Sequence, residues 1–142
     1  MRSSCSIKDK EHKHVLLTNM RAIKDHEVFL LPGGRLEILE SSYDAVFREI
    51  KEELGFELEY KLISIEENIV KNTKFHMLEF VFYAEIDSFD NIKTPDNGWD
   101  KFKIVEIAKI DSVDIRPKTI NKLIKKERYE EIVHHINYDW TD

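Results

Sequence analysis

The segment GRLEILESSYDAVFREIKEELGF, residues 34–56, decides how the rest of the chain is interpreted. Apolar residues recur at spacings of three and four between residues 43 and 54, a pattern typical of one buried face of a helix. Ser41 is a suitable N-cap, and Gly55 stands where a left-handed C-terminal cap is needed. The pattern therefore predicts a helix over residues 42–54.

Three glutamates give this predicted helix its chemistry. Glu49, Glu52 and Glu53 stand at i, i+3 and i+4, so their carboxylates gather within about one third of the helix circumference. Like charges at this spacing destabilise a helix by about 0.2–0.5 kcal/mol per pair, and a bound dication would reverse that cost. Glutamate-rich helices are usually only solvated faces. The upstream Pro-Gly-Gly sequence and the position of Glu40 favour the motif described next over a solvated face, because a solvated face needs neither.

The same segment resembles the Nudix box. That box reads glycine, five residues, glutamate, seven residues, Arg-Glu, an apolar residue, any residue, Glu-Glu, any residue, glycine and an apolar residue. The chain fills these positions with Gly34, Glu40, Arg48, Glu49, Ile50, Glu52, Glu53, Gly55 and Phe56. The resemblance to the MutT-like Nudix hydrolase family implies an α/β Nudix fold, an α/β/α sandwich with a central mixed sheet. It also implies magnesium-dependent hydrolysis of a pyrophosphate bond in a nucleoside di- or triphosphate derivative.

The resemblance also implies roles for individual residues. Glu49 and Glu53 would ligate Mg²⁺, with Mn²⁺ as an alternative ion, and Glu52 would be a further ligand or the base that activates water. Arg48 would orient these carboxylates. The backbone at Gly33 and Gly34 would approach the metal and the phosphates, because glycine permits such closeness.

Selection of the substrate should depend on residues outside the box. Asn19, Arg21 and Lys24 precede it and could contact phosphate or base, and Trp99 or Phe102 could stack on a nucleobase, although such aromatic residues are more often core. Some family members take the catalytic base from outside the box. The candidates here, each more often a surface acid, are Glu79, Asp96, Asp100 and Glu106. The base stays open at this stage.

The remaining sequence predicts one α/β domain over residues 1–142. Strands are predicted at residues 14–17, 28–31, 61–66, 75–86 and 102–107, with a turn at Pro32-Gly33-Gly34. A last helix is predicted from Pro117, with a core face made of Ile120, Leu123, Ile124, Ile132, Val133 and Ile136. The single cysteine, Cys5, and the histidines His76, His134 and His135 show no metal-ligand spacing and are interpreted as structural.

Composition narrows the classes of partner. A net charge of −6 argues against a long nucleic acid, and the chain has neither a membrane-length apolar run nor a secretory signal pattern, so a cytoplasmic protein is expected. The expected partner is a small nucleotide, and a homodimer is left open. Proline and tyrosine signatures of the family's ADP-ribose, NADH and dinucleoside polyphosphate enzymes are missing, which favours a nucleoside triphosphate or damaged nucleotide. The alternatives are an RNA 5′-end pyrophosphohydrolase and a non-catalytic nucleotide-binding module.

Overall fold

The structure is a computed structural model that describes residues 1–20, 26–90 and 101–142. The helices are α1 (Ser42–Leu54) and α2 (Ile120–Lys125), and a 3₁₀ helix spans Ile107–Ser112. The strands are β1 (Arg2–Asp9), β2 (His14–Asn19), β3 (Val28–Leu30), β4 (Gly33–Arg35), β5 (Lys61–Val70), β6 (Phe75–Ile86), β7 (Phe102–Glu106), β8 (Asp114–Ile115) and β9 (Val133–Tyr138). In the described residues they form one sheet of order β8-β3-β2-β1-β6-β5-β9, with β4 beside β1 and β7 beside β2.

The middle of this sheet is β1, which the sequence analysis did not predict. It pairs in parallel with β6 from Arg2, opposite Glu79, to Asp9, opposite Ile86. Its sequence, RSSCSIKD, lacks the alternation of apolar and polar residues that marks a strand with one solvated face. Residues 3–9 are buried, and a strand covered on both faces has no reason to alternate.

Helix α1 covers one face of the sheet and has the predicted bounds. The Ser41 side chain accepts a hydrogen bond from the Asp44 backbone N–H, and Gly55 has the left-handed conformation, with φ of 75°. Val46 and Ile50 belong to a buried cluster that includes Cys5 of β1. The apolar side of α1 is therefore fixed against the central strand, and its acidic side is left at the edge.

The 3₁₀ helix and α2 cover the opposite face. Ile110, Ile120 and Leu123 belong to a second buried cluster, with Val15 of β2 and Val81 of β6. The sheet is mixed, because β1 with β6, β3 with β8 and β5 with β9 run parallel while the other described pairs run antiparallel. The predicted α/β class with a central mixed sheet is confirmed, as are the predicted strands, of which β6 has the predicted bounds.

The prediction of a long final helix is wrong. Helix α2 begins three residues after Pro117 and ends at Lys125, and the chain then forms β9, which pairs in parallel with β5. Ile132 and Ile136 are 56% and 53% exposed, so they do not face the core, whereas Val133 packs against the second cluster. Their β-branched side chains favour a strand. None of the helices in the described residues has the length and apolar character needed to cross a bilayer.

Candidate active site

Arg48, on α1, gathers three carboxylates around its guanidinium. Its Nε and Nη2 donate to the two carboxylate oxygens of Glu40, at 2.8 and 2.9 Å. Its Nη1 donates to Glu49 at 2.9 Å and more weakly to Glu52 at 3.4 Å. A guanidinium has five N–H donors in a fixed plane, so it can hold several carboxylates at once. The structure thus brings four of the predicted box residues together.

Glu40 is the most firmly held of these acids. Besides its two bonds from Arg48, it accepts one from the backbone N–H of Glu37 at 3.0 Å. These contacts, with the Arg48 hydrogen bonds as the largest cause, lower the pKa of Glu40 to about 2. In turn, the hydrogen bond to Glu40 is the main cause that raises the pKa of Arg48. Both oxygens of Glu40 are therefore committed to fixing Arg48.

The two glycines before the helix lie close to β1 and to the Glu49 side chain. The turn predicted at these glycines is only partly right. The chain bends at Pro32, and Gly33 and Gly34 then lie in the short strand β4 beside Ser4 and Ser3 of β1. A Cβ on Gly33 would lie 2.6 Å from the Cα of Ser4, so glycine is required there for strand pairing. A Cβ on Gly34 would lie 2.6 Å from Oε2 of Glu49 and closer still to its other carboxylate atoms. Glycine at this position therefore leaves room for the Glu49 carboxylate where it lies, and a larger residue would push that flexible carboxylate aside.

Glu53 is held by a different cation. Lys101, which directly precedes β7, donates from Nζ to Oε1 of Glu53 at 2.9 Å. The Glu53 side chain is 22% exposed and that of Glu49 is 16% exposed, whereas that of Glu52 is 61% exposed. Sequence reasoning missed Lys101, because nothing in the local sequence connects it with a residue 48 positions earlier.

The residues present suit a hard divalent cation in their chemistry. Three partly exposed carboxylates on one helix edge, next to a glycine backbone that leaves room for Glu49, supply the oxygen ligands that Mg²⁺ prefers. Their side chains do not converge on one point: within the described residues, no group of three His, Cys, Asp or Glu side chains is arranged to hold a metal ion. Arg48 holds Glu49 and Glu52, and Lys101 holds Glu53. Metal binding would therefore exchange these cations for the dication.

Among the predicted substrate contacts, Asn19 is connected to this cluster through Lys101. It ends β2, and its backbone N–H donates to the carbonyl oxygen of Lys101 at 2.7 Å. Phe102 is buried in the cluster between α1 and the sheet, with Val46 and Ile50, so its interpretation as core is confirmed. The other predicted contacts and bases, Arg21, Lys24, Asp96, Trp99 and Asp100, lie outside the described residues.

The two remaining acids considered as bases lie in different surroundings. Glu79 is 4% exposed, so its interpretation as a surface acid is wrong; it accepts from Arg2 at 3.2 Å and from Asn68 at 3.3 Å. Glu106 is exposed and forms a surface pair with Lys109.

The predicted structural histidines all contact carboxylates on β5. His76 and His134 contact Glu67, at 3.3 and 2.6 Å, and His135 contacts Glu66 at 2.7 Å. None of these contacts involves the acids of α1. Cys5 is buried in the first cluster, and burial raises the pKa of its thiol.

Comparison with known proteins places this geometry in a family. The model of the NUDIX domain family matches residues 2–126. A crystal structure of the MutT protein of Bacillus halodurans has a TM-score of 0.71 at 20% identity, over 98% of this chain and 91% of that one. A MutT structure from work on Aliivibrio salmonicida and Vibrio cholerae gives 0.62 at 19%, over 87% and 94%. Shewanella oneidensis NrtR, in complex with a 27-mer DNA, gives 0.68 at 15%, over 88% and 58%. At these identities the neighbours show a shared fold.

Proposed function

The chain belongs to the NUDIX domain family and is a Nudix hydrolase, and from that premise we propose that it uses Mg²⁺ to hydrolyse a nucleoside triphosphate or a damaged nucleotide to a nucleoside monophosphate and pyrophosphate. Family membership accounts for pyrophosphate hydrolysis in general. The observation that carries the proposal is the set of α1 carboxylates that Arg48 holds beside Gly34. A solvated helix face would need neither the bidentate pair of Glu40 with Arg48 nor the missing side chain at Gly34.

In this proposal Glu49 and Glu53 hold the metal, with Mn²⁺ able to replace Mg²⁺. Both are partly buried and sit at the helix edge, where a ligand would replace their present cations. When bound, the dication neutralises charge on the diphosphate and lowers the pKa of a coordinated water. Because Glu40 fixes the Arg48 guanidinium through both carboxylate oxygens, the guanidinium would stay beside Glu49 and Gly34 after the exchange and orient the Glu49 side chain.

Glu52 is the residue we assign as the base. Its side chain is 61% exposed, and its contact with Arg48, at 3.4 Å, is longer than those of Glu40 and Glu49. It is therefore the α1 carboxylate whose oxygens are most available to accept a proton from the attacking water. Water adds to phosphorus, the bridging P–O bond breaks, and the released phosphate group leaves with the bridging oxygen.

The test is a turnover assay of the purified chain on a panel of ordinary and oxidised nucleoside triphosphates, with and without Mg²⁺, following pyrophosphate release. Glu53→Gln should reduce kcat by about 100-fold or more, the effect expected when a group central to the chemistry is lost. Glu57→Gln is the matched control. Glu57 lies beyond the end of α1 and pairs with Lys51, away from the carboxylates that Arg48 and Lys101 hold. The rate of this control variant should stay within about twofold of wild type.

Two results would contradict the proposal. An undiminished rate in Glu53→Gln would remove the metal role of that residue. Tight nucleotide binding with no Mg²⁺-dependent turnover across the panel would indicate a binding module instead.

A further inference from the structure

Lys101 occupies an unusual position beside the proposed metal ligands. Its ammonium lies 2.9 Å from Oε1 of Glu53, and the two side chains are 43% and 22% exposed. An ion pair so accessible to water stabilises a fold only slightly. The pair therefore contributes little to folding, although it engages one of the carboxylates proposed to bind the metal.

The backbone fixes where this ammonium can reach. The carbonyl oxygen of Lys101 accepts the backbone N–H of Asn19 at 2.7 Å, and the next residue, Phe102, is 5% exposed and pairs with Thr18 of β2. The start of the Lys101 side chain is thus anchored to the sheet beside the last turn of α1. Its four-carbon chain remains free to change rotamer, so the ammonium can swing while its base stays in place.

The charges of the cluster explain how the ammonium would respond to ligands. Within the described residues, Glu40, Glu49, Glu52 and Glu53 form ion pairs with two cations, Arg48 and Lys101. A dication that takes Glu53 competes with the ammonium for the same carboxylate and then repels it. A diphosphate bound next to that dication brings negative oxygens back within reach of the ammonium. Lys101 should therefore oppose metal binding alone and favour binding of the phosphate that follows.

On this basis we propose that Lys101 is a substrate-positioning residue that releases Glu53 when the metal binds and contacts a phosphate oxygen of the substrate. The inference rests on the proposed function and extends it to a residue outside the Nudix box. It predicts two changes of opposite sign in one variant, which an ordinary surface ion pair would not produce.

The first measurement is the affinity for metal alone, followed by the electron paramagnetic resonance signal of free Mn²⁺. Lys101→Met should lower the Kd for Mn²⁺ by about fivefold, since the competing pair is worth up to about 1 kcal/mol. Lys51→Met is the matched control. This variant also removes one positive charge, here from α1. Because Lys51 pairs with Glu57 at 2.8 Å, the Kd for Mn²⁺ should change by less than about twofold.

The second measurement is the affinity for imidodiphosphate, a non-hydrolysable pyrophosphate analogue, by calorimetry at saturating Mg²⁺. Lys101→Met should raise its Kd by about tenfold, the loss of one charge-assisted contact to phosphate. Lys101→Arg keeps the charge and should restore the Kd to within about threefold of wild type. In turnover, Lys101→Met should raise KM for the nucleotide more than it lowers kcat, because the residue binds substrate without taking a proton.

Several outcomes would overturn the proposal. Weaker Mn²⁺ binding in Lys101→Met would mean that the lysine holds Glu53 in place for the metal. Unchanged imidodiphosphate binding, or equal effects in Lys51→Met, would reduce Lys101 to a surface pair. If wild type hydrolyses nucleotides while Lys101→Met behaves like it, this inference fails alone. If wild type neither binds Mn²⁺ nor hydrolyses any nucleotide, the proposed function fails and takes this inference with it.

Discussion

The two faces of the central sheet treat ionised side chains in opposite ways. On the α1 side, the acids at the helix edge stay partly exposed, and long cationic side chains hold them. On the other side, Glu66 and Lys8 are fully buried, and each is held by several fixed groups. Charges that face water can exchange partners, whereas charges sealed into the structure cannot do so without a large cost. The partly exposed charges can therefore bind a ligand, whereas the buried charges stabilise the fold.

Glu66 shows most clearly how a buried charge is held by fixed partners, which we call the closed arrangement. Its carboxylate accepts hydrogen bonds from the hydroxyls of Ser64 and Thr119, contacts Nδ1 of His135 at 2.7 Å, and accepts a longer bond from the Asn137 amide at 3.4 Å. Thr119 directly precedes α2, and His135 and Asn137 belong to β9. One carboxylate of β5 therefore ties together three elements of the fold.

Breaking this closed arrangement should have the largest effect. Glu66→Gln places an amide donor among groups that already donate, so we expect the free energy of unfolding to fall by about 3 kcal/mol, measured by urea denaturation. Glu67→Gln is the neighbouring control on the opposite face, where His76 and His134 hold a partly exposed carboxylate. It should lower the free energy of unfolding much less, because water screens that carboxylate. Equal losses in the two variants would remove the contrast between the faces.

Weakening the partly exposed acid cluster around Arg48 should change activity more than stability. Arg48→Lys replaces a planar fork with a single ammonium, which cannot hold Glu40 through both oxygens and Glu49 as well. We expect kcat/KM to fall by about 10- to 100-fold, as for other partners that orient metal ligands. The melting temperature should barely move. Arg128→Lys, at an exposed site, is the control, and activity within twofold of wild type in Arg48→Lys would contradict the orienting role.

Lys8 offers a titration that sharpens the comparison. Burial lowers the pKa of Lys8 to about 8, although nearby Glu85, Glu127 and Asp9 oppose this shift. The ammonium is retained by the carbonyl oxygens of Ile124 and Lys126, at 2.9 and 2.7 Å. Between the folded value of about 8 and the usual 10.5, the unfolded chain binds more protons than the folded one. The contribution of Lys8 to stability therefore rises with pH in that window.

The measurement compares wild type with Lys8→Met from pH 8 to pH 10. The difference in unfolding free energy should move by about 2 kcal/mol in favour of wild type as pH rises. Burial raises the pKa of the Cys5 thiol, which pushes stability the other way above its usual range, but both proteins share that cysteine and the difference removes it. A gap that stays constant with pH would show that Lys8 titrates normally.

The helix and its acids could be predicted from the sequence because their determinants are local. Ser41, the apolar spacing and Gly55 lie within fifteen residues, and the structure gives α1 the predicted bounds. The three-four spacing also places Glu49 and Glu52 close enough to share Arg48. Which cation would hold each acid could not be predicted, because Lys101 reaches Glu53 only through the pairing of β2 with β7.

Four of the described strands escaped prediction, and for two of them, β1 and β9, the reason lies in tertiary structure. In β1, serines and Lys8 take positions that burial usually gives to apolar residues, so the pattern of the central strand is hidden. At the end of the chain, Ile132 and the β9 residues Val133 and Ile136 continue the helical spacing of α2 by coincidence. What decides the strand is the edge of β5, to which β9 pairs, and no local pattern reports a free edge.

The central position of β1 sets the order in which the molecule can be assembled. During synthesis β1 is made before its parallel partner β6, and the paired residues Arg2 and Glu79 are separated by 77 positions. Until β6 leaves the ribosome, β2 and β4 are the partners within the described sheet with which β1 can pair. Closing such a long loop slows folding and leaves strand edges open to other chains. The rate of nascent-chain folding should therefore depend on the arrival of residues 75–86, and a stalled chain that ends before them should aggregate.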